Sequence, residues 1–221
     1  MIATTAAVSL GLLVGARHAF EPDHLAAVST LVTGSRSPRA AALLGLVWGL
    51  GHTLALLAVG IVLVLLDAAL PARVGAAFEL AVAAMLVVLG ARAVYRGVTN
   101  QGGRPARHRH GPIEHVHAGA GQHVHVGARA LAWRPLTVGI VHGLAGSGAL
   151  TALAFAELPT SAARVVYMAV FGIGSVAGMA ITTGLAGVAL QHVARGARAQ
   201  RWLAVTTGLV SCCVGVIWAV G

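Results

Sequence analysis

Apolar residues fall in six long windows, at about 2–33, 40–66, 75–95, 135–156, 164–190 and 202–220, separated by short polar or glycine-containing joints. Each meets the roughly 20-residue length a helix needs to cross the hydrocarbon core. The pattern predicts an all-α integral membrane protein with six transmembrane helices. Residues 97–134 break the rhythm, being rich in glycine, proline, arginine and histidine. They read as a polar linker, the one segment expected to lack order.

Laid on itself with an offset of about 124 residues, the chain repeats. Val14-Gly15-Ala16-Arg17-His18 lies over Val138-Gly139-Ile140-Val141-His142, and Val47-Trp48-Gly49-Leu50-Gly51-His52 lies over Val170-Phe171-Gly172-Ile173-Gly174-Ser175. Each half holds an odd number of windows, so the second enters the membrane inverted relative to the first. The expected organisation is two inverted three-helix repeats, 1–96 and 135–221, joined by the 97–134 loop. In such folds the sites lie near the midplane on interrupted helices. Helix 1 should break at Pro22, which lacks a backbone donor and crowds the carbonyl of His18. Helix 4 should break in the glycine-rich run from His142 to Gly148. Gly11 with Gly15, Gly45 with Gly49 and Gly174 with Gly178 have the spacing of close helix packing.

A hydrophobic share of 57%, a charged share of 10% and a mean hydropathy of +0.85 exclude an ordinary soluble domain. The net charge of +9 is carried entirely by arginine. Twelve of the fifteen arginines fall in the joints after the first, third and fifth windows, which the positive-inside rule assigns to the cytoplasm. Both termini are then outside, in a multi-pass protein of the cytoplasmic membrane. This one-sided distribution accounts for the charge without a nucleic-acid partner. No basic stretch precedes the first window, so a cleaved signal is not expected. Cys212 and Cys213, adjacent in the last window, read as small apolar filler.

Candidate chemistry is concentrated in His18-Ala19-Phe20-Glu21-Pro22-Asp23-His24, inside the first window. Ionisable groups at that depth mark a site or pathway. Counting about 1.5 Å per helical residue puts His18, His24, His52 and His142, from three helices, in one slab with Asp23 and Glu21. Imidazole suits nickel, cobalt, zinc and copper, whereas magnesium and calcium want oxygen. The scattered methionines disfavour copper(I). His18 and His24 lie about 120° apart on an ideal helix. A break at Pro22 would let both reach one ion and would free the His18 carbonyl as a ligand. Glu21 has the i, i+4 spacing to neutralise Arg17. In the linker, His108 with His110, His115 with His117 and His123 with His125 form three His-x-His pairs, each suited to chelation on extended chain. An unordered linker is the expectation, with a hairpin between 114–117 and 122–125 as the alternative.

Residues 14–55 resemble the nickel and cobalt transporter family, whose signature is His, four residues, Asp-His within a span. His18 through Asp23-His24 matches it, Arg17 precedes it, and Leu50-Gly51-His52-Thr53 is similar to the family's second histidine motif. The resemblance implies that His18, Asp23, His24 and His52 handle the metal, with Ni2+ or Co2+ as substrate rather than cofactor. Two features depart from the commoner eight-span members. This chain has six windows, as if the first span were missing, and Glu21-Pro22 stands where those members carry Asp-Ala. The second half is closer to shorter relatives associated with urease accessory genes, which implies a metallochaperone or a urease or hydrogenase maturation partner.

The expected protein is therefore a secondary carrier of a divalent transition metal, nickel before cobalt, working in uptake. Its intramembrane residues are His18, Asp23, His24, His52 and His142, with the loop histidines as a secondary metal store. Efflux and a non-transporting metal sensor are the alternatives. An intramembrane metallohydrolase would show a His-Glu-x-x-His motif, and a thiol carrier would need separated cysteines; the chain has neither.

Overall fold

The protein is described by a computed structural model covering residues 2–33, 37–99, 105–110, 113–118, 124–126, 129–131, 133–193 and 196–220. The first window forms two helices, α1 (Ile2–His18) and α2 (Pro22–Val32). The other five each form one: α3 (Pro38–Leu66), α4 (Ala72–Val98), α5 (Trp133–Glu157), α6 (Ser161–Val193) and α7 (Ala197–Val220). Among the described residues, α3, α4, α6 and α7 are each long and apolar enough to cross a membrane. At the start of α3, the Ser37 hydroxyl accepts the Ala40 N–H at 3.1 Å and Pro38 occupies the first turn, where its missing N–H costs nothing.

The break after His18 follows from Pro22. Proline cannot donate inside a helix, yet it suits a first helical position. α1 therefore closes with a tight turn, the Phe20 N–H donating to the Arg17 carbonyl at 2.9 Å and the Glu21 N–H to the His18 carbonyl at 3.1 Å, and α2 begins afresh. The His18 carbonyl is not left unpartnered by the break, since it accepts from the Glu21 N–H.

The expected interruption of helix 4 does not occur. α5 is a single helix through His142, Gly143, Gly146 and Gly148. Its glycines serve close approach instead. α5 lies against α3 so tightly that a Cβ at Gly139 would overlap the Trp48 carbonyl, and one at Gly143 the His52 carbonyl. The contact between α1 and α6 is built alike, Gly15 facing the Phe171 carbonyl and Gly174 the Leu12 carbonyl.

α3 packs on α5 and α6, α1 on α6, and α4 on α7, while α2 reaches α7, α4, α6 and α3. Trp48, Leu86 and Met179 are fully buried in one apolar cluster, and Leu56, Tyr167, Met168 and Phe171 lie in a second. Large apolar side chains such as Leu13, Leu65, Leu185 and Ile217 face outward, which is the arrangement lipid allows.

Between α4 and α5 the described residues are not the expected unordered linker. They form two antiparallel ribbons, β1 (Pro105–His110) with β2 (Ile113–Ala118) and β3 (Val124–Val126) with β4 (Arg129–Leu131). The hairpin that sequence allowed between 114–117 and 122–125 is not the one formed. Residues 113–118 pair back onto 105–110, with His108 opposite His115.

If the glycine contacts set the helix spacing, Gly139→Ala should force α5 away from α3 and cost about 1–3 kcal/mol. Gly75→Ala, whose added methyl would meet only the Leu70 side chain at 3.6 Å, should leave stability near wild type. Thermal unfolding of the two variants in detergent checks this.

Candidate metal centre

The turn at residues 19–21 reverses the geometry an ideal helix would impose. With α1 ended at His18 and α2 restarted at Pro22, the rings of His18 and His24 meet edge to face, centroids 4.4 Å apart. α3 adds His52, 5.2 Å from His18 and 5.4 Å from His24. α5 adds His142, stacked on His24 at 4.2 Å. All five intramembrane residues expected from sequence come together. His24, His52, His142 and Asp23 are buried, with His52 fully so.

Asp23 organises the rings. Its Oδ1 lies 3.1 Å from His24 Nδ1 and its Oδ2 lies 2.7 Å from His142 Nε2. As an acceptor it fixes both tautomers, with the proton on Nδ1 of His24 and on Nε2 of His142. The lone pairs left over are His24 Nε2 and His142 Nδ1. Neither has a hydrogen-bond partner, and the same is true of His18 Nε2, both nitrogens of His52 and Trp48 Nε1. An unsatisfied buried polar group costs about 1–3 kcal/mol, so this concentration of them in one place demands an explanation. Among the described residues two overlapping ligand groups exist, His18 with His24 and His52, and Asp23 with His24 and His142, each with its ligand atoms within 4.8 Å of one another.

Glu21 does not pair with Arg17 as expected. Its Oε2 accepts from His18 Nδ1 at 3.0 Å, because the turn carries Glu21 off the helical track that would have placed it one turn above Arg17. That bond orients His18 and leaves Nε2 as its free nitrogen. Of the loop histidines, His108, His110, His115, His117 and His125 lie on the ribbons and His123 lies outside the described residues. The intramembrane groups are built without them.

A pocket of about 320 Å³ adjoins the cluster and is lined by His18, Glu21, Asp23, His24 and His142 among others. Sequence reading passed over two residues here. Trp48 is fully buried with its ring 5.5 Å from His24 and 5.8 Å from His142. Its signal was available, since it precedes His52 by four residues and so shares its helix face. Glu79, a lone acid in α4, also lines the pocket.

These features define a helical membrane protein with a buried centre of imidazoles and a carboxylate. Over residues 4–220 the chain matches the model of the NicO family, described as high-affinity nickel-transport protein. It is also 31% identical over 209 residues to the urease accessory protein UreH of Bacillus sp. (strain TB-90), an alignment spanning 95% of this chain and 88% of that relative. No solved structure matches. The chain belongs to the NicO high-affinity nickel-transport family, and it is a transporter rather than an enzyme.

Trp48 supplies a direct readout of the centre. A divalent nickel or cobalt ion bound among the imidazoles should quench tryptophan fluorescence saturably, and Trp48→Phe should remove that component. His24→Ala should abolish the saturable phase. Titrations at falling pH should show weaker binding, because protons compete for the same nitrogens.

Proposed function

We propose that the protein carries Ni2+, with Co2+ as a second substrate, inward across the cytoplasmic membrane. The observation that carries this reading is the convergence of unpartnered, buried nitrogens from His18, His24 and His52. Three neutral imidazoles suit a late first-row divalent ion and disfavour magnesium and calcium. Asp23 acts chiefly by holding His24 and His142 and by offsetting the ion's charge. His142 closes the far side of the cluster. No cofactor is assigned. A negative-inside potential of 100 mV contributes about 2.3 kcal/mol per charge, or roughly 4.6 for a divalent cation moving alone, which favours import.

Helix packing supports the inverted-repeat reading. Exchanging the halves turns the α1 contact with α6 into the α5 contact with α3, and the α2 contact with α7 into the α5 contact with α4. The glycine contacts exchange likewise: Gly15 on Phe171 corresponds to Gly139 on Trp48, and Gly174 on Leu12 to Gly51 on Leu136. In that reading 1–96 and 135–221 are the two moving units, both termini are outside, and 97–134 is cytoplasmic. His108 and His115 then stand at paired register positions on the first ribbon, and with His110 and His117 they offer a place to hold metal after import. His123 and His125 extend that store. Similarity to a urease accessory protein supports delivery onward to a metallochaperone or a nickel-enzyme maturation partner.

In cells lacking their own nickel carriers, expression should raise radiolabelled nickel content. His18→Ala, His24→Ala and His52→Ala should each abolish the gain at normal expression. Asp23→Asn, which acts through the rings, should weaken apparent affinity about 10–100-fold. Reduced accumulation with increased nickel resistance would instead establish export.

Deleting residues 106–126 should leave flux largely intact while lowering the number of ions bound per chain, read by elemental analysis of purified protein. A correctly inserted deletion that transports nothing would put the loop histidines in the path.

A further inference from the structure

The pocket beside the imidazoles reaches Glu79 and Trp218. Glu79 lies seven residues after Ala72 at the start of α4, about 10 Å along the helix. Trp218 stands two residues before Val220 at the end of α7. Those helix ends lie together, because α4 and α7 run antiparallel in contact, with Gly90 against the Gly208 backbone and Gly215 against the Ala83 backbone. The pocket therefore extends from the imidazole cluster toward the end of the bundle where α4 begins and α7 ends, opposite the end from which the ribbons extend.

Glu79 is exposed and makes no ion pair or hydrogen bond with the described residues. A bare carboxylate facing hydrocarbon at that depth would be costly, whereas one facing a water-filled pocket is hydrated. It is also in selective company. The chain holds only six acidic residues against fifteen basic ones, yet Glu21, Asp23 and Glu79 all line this one pocket. Glu21 stands half-exposed in the pocket lining, bonded to His18. His24, 1% exposed and with Nε2 unpartnered, lines the pocket at its deep side. Apolar walls from Val14, Leu150 and Phe171 concentrate the field of these carboxylates along the pocket.

We propose that Glu79 is the capture carboxylate of the permeation route, drawing a hydrated divalent cation into the pocket, where Glu21 and then the imidazoles receive it. The proposal rests on the carrier reading above and adds a residue and an entrance to it. Glu79 acts by charge on an ion that keeps its water. Its removal therefore changes how often ions enter, not how fast a bound ion crosses.

The test uses full-length protein in liposomes containing a nickel-sensitive dye. Glu79→Gln should raise the KM for Ni2+ roughly three- to tenfold with little change in maximal rate, as expected for loss of one charge near a divalent ion. Glu79→Asp should restore most of the affinity. Wild-type KM should rise with ionic strength more steeply than that of Glu79→Gln. In a Cys212→Ser, Cys213→Ser background, Glu79→Cys should regain a low KM after labelling with a sulfonate-bearing methanethiosulfonate. The trimethylammonium-bearing reagent should raise its KM further. If wild type transports nickel but KM does not respond to the charge at position 79, Glu79 is off the route and the carrier reading stands. If wild type moves no nickel and shows no saturable Trp48 quenching, the carrier reading falls and takes the entrance with it.

Discussion

The carboxylate of Asp23 lies almost wholly buried between two imidazoles, tying α2 to α5 through His142 and steadying His24 beside it. A charge in that position is tolerated only because both oxygens are engaged. Removing one partner of a buried pair costs about 3–5 kcal/mol, since the remaining group is stranded. The break at residues 19–21 places Asp23 in the first turn of a new helix rather than in the middle of an old one. The glycine contacts bring α5 close enough to α3 for His142 and His52 to reach the same cluster. Helix break, close packing and buried carboxylate are thus one construction.

Much of it was legible in the chain. Apolar windows located the four helices long and apolar enough to cross a membrane, α3, α4, α6 and α7, to within about five residues at each end, since length and hydropathy are what the bilayer selects for. Pro22 marked the break in the first span because its missing N–H acts locally. The centre was legible because four histidines at one depth can be counted along helices. Tertiary contacts were harder to read. Gly143 looks in sequence like a weak point of a helix, but its role is set by the His52 carbonyl on another helix. Glu21 has two neighbours, Arg17 and His18, in reach on an ideal helix, and only the turn decides for His18. The ribbon register, which sets His108 opposite His115, likewise selects among several histidine-bearing segments that sequence spacing leaves equivalent.

Trp48 and Glu79 escaped sequence reading for opposite reasons. Tryptophan in an apolar window is ordinary core, and only its ring distances to His24 and His142 give it a place at the centre. A single glutamate near a helix end is an ordinary interfacial residue, and only the pocket joins it to Glu21 and Asp23. In both cases composition was too common to carry information, and proximity supplied it.

The two halves match in their backbone contacts more closely than in their chemistry. His18 in the first half corresponds to His142 in the second, but His52 corresponds to Ser175, whose hydroxyl donates to the Gly15 carbonyl at 3.2 Å and so fastens α6 to α1. Glu21-Pro22-Asp23-His24 corresponds to Ala145-Gly146-Ser147-Gly148, which adds neither a carboxylate nor a second imidazole beside His142. The second half therefore supplies one imidazole of the cluster, while the first supplies the break, the carboxylates and the other three rings. On the carrier reading, this division reconciles two conflicting demands. A repeat whose interfaces correspond lets two packings of similar energy coexist, whereas a cation needs an unsymmetrical donor set of definite reach. In the proposed two-repeat reading, concentrating the donors on one repeat, with His142 alone contributed by the other, would let the ion travel with one unit while Asp23 registers its position against the second.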